Sequence, residues 1–122
     1  MDAYRGGDVA ITVVESRDPA RLYLSFSGRG NERDPRTTLA PFLKDVVDRA
    51  AEKQASVELH CQHITYINSA TIGCVVDMIH RCESAAVPLT LRYDRAVGWQ
   101  RLSFEALRVL VKGANRLVVE AV

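Results

Sequence analysis

Two places in the chain gather side chains that could do chemistry. The first is Ile67-Asn68-Ser69-Ala70-Thr71-Ile72-Gly73, with an amide and two hydroxyls in close succession. It follows a strand-like apolar run, Val57 to Ile67, and opens a helix-like run, Thr71 to Ala86. A hydroxyl at such a junction lies near a helix N-terminus, where free N–H groups and the positive dipole end favour an added anion. It can be a phosphorylation site, or Ser69 can be an ordinary helix cap and Asn68 an ordinary turn residue. The second place is His60, Cys61 and His63, all of them zinc-ligand types. On a strand, however, His60 and Cys61 point to opposite faces, and the remaining histidine, His80, is distant. A polar strand end with a buried Cys61 is the expectation, with no metal and no cofactor.

Catalytic arrangements are weaker still. Ser69, Asp77 and His80 could be imagined as a hydrolytic set, but Ser69 lacks a Gly-x-Ser-x-Gly elbow. His80 falls three turns along the same helix, too far to take the Ser69 proton. Gly28-x-Gly30 is too short to cradle a phosphate, and no Walker pattern occurs. The expectation is a protein that is not an enzyme.

The elements that must position these residues fit one domain spanning 1–122, with residues 1–7 as a frayed end. The 122 residues can bury a core without disulfides or metal. A net charge of +1, from 16 basic and 15 acidic residues, gives no nucleic-acid surface. Arg29, Arg33 and Arg36 are interleaved with Glu32 and Asp34, as in a solvated loop. No apolar stretch is long enough for a membrane span and the N-terminus has no signal-peptide core, so a cytoplasmic protein is expected. Cys61, Cys74 and Cys82 are an odd number without paired spacing, which suits reduced, buried thiols.

Alternation of Val9, Ile11 and Val13 predicts a strand, and Leu22, Leu24 and Phe26 a second; the turn Ser16-Arg17-Asp18-Pro19 makes them a hairpin. Asp34-Pro35 reads as a cap and first helical position, before an amphipathic helix on Leu39, Phe42, Leu43, Val46, Val47 and Ala50. Pro41 implies either a start near Ala40 or an irregular first turn. Ser56–Cys61 is a short strand, Thr71–Ala86 the second helix and Pro88–Tyr93 a strand. Ser103–Lys112 is a third helix, capped by Ser103 and turning Ala106, Leu107, Leu110 and Val111 inward; Leu117–Val119 is a last strand. Trp99 and Tyr93 should pack around the entry to the third helix. The order ββαβαβαβ predicts an α/β fold, a mixed and mainly parallel sheet packed against helices. On the second helix, Ile72, Val75, Ile79 and Cys82 form the core stripe, and Thr71, Cys74, Met78 and Arg81 an adjacent one. That second stripe either packs on the third helix or, with Ser69 at its rim, makes a partner face.

The element order and the segment Ile67 to Gly73 resemble a STAS domain, the fold of anti-sigma-factor antagonists, over nearly the whole chain. Tyr93-Asp94, Trp99-Gln100, Ser103-Phe104, Leu107 and Leu110 are similar to a subgroup of small bacterial STAS-like regulators with Asn at the motif's acidic position, as Asn68 is here. In the Asp-Ser-Ser-Gly-Leu-Gly-like motif, Ser69 falls on the first serine, Ala70 on the second and Thr71 on the glycine. The resemblance implies a cytoplasmic, non-catalytic partner-switching regulator. Its partners would be an anti-sigma-factor-like serine kinase of the histidine-kinase ATPase fold and a phosphatase. The second serine is the usual acceptor and alanine cannot serve, so the phosphorylation candidates are Ser69 first and Thr71 second. The motif and partner-binding set is Asn68, Ser69, Ala70, Thr71, Cys74 and Met78. The alternatives are a non-switching adaptor, or a regulator of another signalling enzyme such as a diguanylate cyclase. Monomer and homodimer both remain open.

Overall fold

A computed structural model describes residues 3–111 and 113–122. The order is β1 (Ala3–Gly6), β2 (Val9–Arg17), β3 (Ala20–Gly30), α1 (Pro35–Glu52), β4 (Ser56–Ile67), α2 (Ser69–Ser84), β5 (Leu89–Tyr93), α3 (Gly98–Leu110) and β6 (Leu117–Ala121). The strands form one sheet in sequence order; β1, β2 and β3 pair antiparallel, and β3 to β6 pair parallel. The mixed, mainly parallel α/β fold is as the alternating elements predict, and the β2–β3 hairpin turns at Asp18-Pro19.

One strand was missed. Residues 3–6 are not a frayed end, because they pair with Val9–Thr12 as β1. Tyr4 anchors that strand by donating its hydroxyl to Glu32 Oε1 at 2.6 Å and setting its ring 5.3 Å from Phe42. Neither contact is local in sequence, and a strand of four residues carries little alternation of its own.

The core lies between one face of the sheet and the helices. Val9, Ile11, Leu22, Leu24, Phe26, Val57, Leu59, Leu89 and Leu91 meet Leu39, Leu43, Val47, Val75, Ile79, Phe104 and Leu107 there. α1 is continuous through Pro41, so the proline bends no boundary and instead denies the Thr37 carbonyl its usual donor. Asp34 stands at the cap position without a side-chain bond. Both α1 and α2 end in a left-handed residue that is not glycine, Gln54 (φ 52°) and Ala86 (φ 57°). The missing glycine is why the end of α2, at Ser84, reads two residues late.

α3 departs furthest from expectation. It starts at Gly98, five residues before Ser103, and Val97 precedes it without a side-chain cap. Gln100, fully buried, holds that start in place. Its Oε1 accepts from the Asp94 N–H at 2.8 Å, and its Nε2 donates to the carbonyls of Gln62 (3.2 Å) and Ile64 (2.9 Å) on β4. Tyr93 stacks on Phe104 at 5.4 Å and Trp99 packs partly buried, as expected of the helix entry. Leu107 and Val111 turn inward, but Ala106 and Leu110 face outward with Leu102 and Val109. The expected end at Lys112 lies outside the described residues.

The opposite face of the sheet carries a charged cluster, with Val14 and Val118 exposed on the same face. Glu58, almost buried, receives Arg21 at 3.0 Å and His60 at 3.1 Å, and Arg92 reaches Glu120 at 3.1 Å.

Candidate functional site

The site is built where the carboxyl ends of β3 and β4 meet the beginnings of α1 and α2. β4 runs on to Ile67, well past Cys61, because β3 continues to pair with it after β5 has stopped at His60. This brings Asn68 against the end of β3. The Asn68 N–H donates to the Gly30 carbonyl at 2.8 Å. Gly30 has to be small, since a Cβ there would stand 3.1 Å from Ile67 Cγ1 and 3.2 Å from Thr71 Cγ2.

Asn68 caps α2. Its Oδ1 accepts from the Thr71 N–H at 2.9 Å and from the Thr71 hydroxyl at 2.6 Å. Its Nδ2 donates to the Glu32 carbonyl at 3.0 Å, on the β3–α1 connection. An aspartate could cap the helix but could not donate to that carbonyl while ionised, which gives asparagine a physical reason at this position. The helix therefore begins at Ser69, two residues earlier than predicted, and the cap is Asn68 and not Ser69.

This assignment separates the two hydroxyl candidates. Ser69 occupies the first helical position and is exposed. Thr71 is only 1% exposed, and its hydroxyl lies 2.6 Å from Asn68 Oδ1 and 3.3 Å from the Gly30 carbonyl. A side chain so placed ties the junction together and is covered from solvent. Ala70 is half-buried beside them.

The expected partner stripe is inside the molecule. Cys74 and Met78 are buried along with Thr71; Thr71 packs on Gly30, and the helix that faces Cys74 and Met78 is α1 and not α3. What stays accessible is the rim of a groove of about 260 Å³ between α1 and α2, with Arg36, Pro41 and Lys44 on one wall and Asp77 and Arg81 on the other. Arg36 crosses it, donating from Nη1 to Asp77 Oδ2 at 3.0 Å. Burial raises the Cys74 thiol pKa, offset in part by the nearby Arg36 charge. Glu32 was also missed. It accepts from Tyr4 at 2.6 Å and from the Thr38 hydroxyl at 2.7 Å, tying β1 and α1 to the junction. Only its acidity and its place after a glycine-rich turn were visible in sequence.

The zinc-like set does not assemble. Cys61 is buried in the core, whereas His60 lies on the other face against Glu58. Among the described residues no group of three or more His, Cys, Asp or Glu is placed to hold a metal ion. Asp77 of the imagined hydrolytic set is paired with Arg36. No helix of the described residues is long and apolar enough to cross a membrane.

Against solved structures, the chain aligns over 98% of its length with 98% of a chain from the complex of the diguanylate cyclase SiaD with its activator SiaC of Pseudomonas aeruginosa, at TM-score 0.68 and 21% identity. It aligns over its full length with all of SiaC of Pseudomonas aeruginosa, at TM-score 0.66 and 22% identity. A DUF3478-family protein from Shewanella loihica, described as having a SpoIIAA-like fold, aligns over 95% of this chain and 88% of its own, at TM-score 0.56 and 8% identity. The fold is SpoIIAA-like. That is the STAS-like architecture which the junction motif resembles, and at these identities the likeness concerns the fold. No family model and no curated protein matches the sequence.

Proposed function

We propose that this chain is a non-catalytic signalling regulator that binds a partner enzyme of the diguanylate-cyclase kind, with Ser69 as its control hydroxyl. The observation that carries the reading is the division of labour at the junction. Asn68 supplies the cap, so the Ser69 hydroxyl is exposed at the first turn of α2. The full-length likeness to SiaC, an activator of a diguanylate cyclase, supports the choice of partner over an anti-sigma-factor circuit. The expected serine kinase and phosphatase enter as the pair that would set and remove the phosphate, with ATP as the kinase's substrate.

A phosphate on Ser69 would bring a charge of about −1.5 to −2 to the positive end of α2. The dipole stabilises such a charge by roughly 0.3–1 kcal/mol, so the fold persists. The same charge inside a partner interface meets a desolvation cost, so the unmodified form binds and the modified form releases.

The test has two stages. Wild type, Ser69→Ala and Thr71→Ala are incubated with the candidate kinase and ATP, and intact mass is measured. One phosphate is expected on wild type and Thr71→Ala, and none on Ser69→Ala. Unmodified and phosphorylated protein are then titrated against a candidate cyclase while its turnover is followed. Activation by the unmodified form alone is expected; no binding by either form removes the cyclase reading. Ala70, in place of the usual acceptor, favours a second reading as a permanent adaptor. Binding to the cyclase without any mass addition would select it.

A further inference from the structure

Arg36 reaches from α1 to the face of α2 that carries Gly73 and Asp77. Its Nη1 donates to Asp77 Oδ2 at 3.0 Å, and its Nη2 lies 3.4 Å from where a Cβ on Gly73 would stand. Ser69, Gly73 and Asp77 are spaced four apart on α2, so they succeed one another along one face. The guanidinium therefore rests on the bare backbone left by Gly73, between the turn that carries Ser69 and the turn that carries Asp77. A glycine inside a helix ordinarily weakens it. Here it leaves room for the long Arg36 side chain from α1 to lie against the helix one turn before Asp77.

The ion pair is exposed, with side-chain exposures of 64% for Arg36 and 55% for Asp77. Such pairs are weak and exchange readily. A phosphate on Ser69 would present a larger charge and three acceptor oxygens about one helical turn from the guanidinium. Arginine matches phosphate with two parallel N–H donors, which a single Asp77 oxygen does not engage.

We propose that Arg36 is the reader of a phosphate on Ser69. On modification its guanidinium leaves Asp77, turns over Gly73 and pairs with the phosphate. Asp77 is then an unpaired carboxylate on the wall of the α1–α2 groove. Modification at one end of α2 thereby changes the charge pattern of the groove two turns away, while the sheet and helices stay as they are. Arg36 is a positioning residue in this scheme and has no chemical step. The proposal rests on the reading of Ser69 as the control hydroxyl.

The test separates the two ideas. Phosphoserine is installed at position 69 by genetic encoding, so no kinase is needed, and the second phosphate pKa is read by 31P NMR titration. The charged groups that act on Cys74, next to Gly73, are Arg36 on α1, Asp77 on α2, and Glu32 and Asp34 on the β3–α1 connection. The acids raise the phosphate pKa and Arg36 lowers it. Compared with the native background, Arg36→Gln is expected to raise it by about half a unit, and Asp77→Asn to lower it by freeing the guanidinium. Both positions are exposed, and circular dichroism confirms the fold of each variant. Equal pKa values in native and Arg36→Gln proteins would overturn the proposal. A shift with Arg36→Gln but none with Asp77→Asn would overturn the exchange. Loss of phosphate transfer by a kinase would instead bear on the Ser69 reading alone.

Discussion

At the junction, neighbouring polar residues have sharply different duties. Asn68 makes three side-chain bonds that connect α2, its own first turn and the β3–α1 connection, whereas Ser69 is exposed beside it. Asn68→Ala is therefore expected to destabilise the protein by about 1–3 kcal/mol in urea denaturation, through the lost cap and an orphaned Glu32 carbonyl. Ser69→Ala should stay within about 0.5 kcal/mol of wild type. Comparable losses for the two would refute this division. Gly30→Ala places a methyl group against Ile67 and Thr71 and should cost about 1–3 kcal/mol. The hydroxyl spacing in the motif is legible in sequence; which hydroxyl is exposed is not, because Thr71 on α2 packs against Gly30 at the distant end of β3.

Among the elements, α1 read most truly and α3 least: α1 starts at Pro35 and buries Leu39, Phe42, Leu43, Val46, Val47 and Ala50 as the spacing predicts. α2 buries Val75, Ile79 and Cys82 of its predicted stripe while Ile72 stays partly exposed, and it also buries Thr71, Cys74 and Met78, so periodicity gives its existence but only half of its inner face. α3 is apolar on two sides: Phe104, Leu107 and Val111 go inward, while Leu102, Val109 and Leu110 remain exposed. Periodicity alone cannot choose between two such stripes, and the choice is made by Tyr93 and by the bonds of Gln100 to β4. The interior Gly73 of α2 gives a second prediction at this scale. Gly73→Ala should stabilise the unmodified protein by about 0.5–1 kcal/mol, since its Cβ meets only the movable end of Arg36 at 3.4 Å. A loss of stability in thermal unfolding would show that the gap has a structural duty as well.

The molecule as a whole holds three thiols away from water. Burial raises all of them: Cys82 goes from its ordinary 9.0 to about 12, Cys61 is raised further, and Cys74 is raised too. The folded state therefore keeps protons that the unfolded state gives up above about pH 9, so stability must fall as pH rises beyond that point. Each strongly shifted thiol contributes about 1.4 kcal/mol per pH unit to the loss. Urea titrations at pH 8, 9 and 10 should show the decline, and Cys82→Val should remove one thiol's share of the slope. At pH 8 a thiol reagent should label none of the three until denaturant is added; rapid labelling of the native protein would contradict their burial.

By itself, the sequence determined the sheet-and-helix alternation, the β2–β3 hairpin, the inner face of α1, and the junction as the place to look. All of these depend on local periodicity and turn chemistry, which neighbouring residues carry among themselves. Only the tertiary structure decided that β1 exists, that α3 begins at Gly98, that Met78 is covered by α1, and that Arg36 spans Gly73 to reach Asp77. Those outcomes depend on which distant segments meet: residue 4 with 32 and 42, 100 with 62 and 64, 36 with 77. The free energy of such contacts belongs to pairs of segments, so no window along the chain contains it.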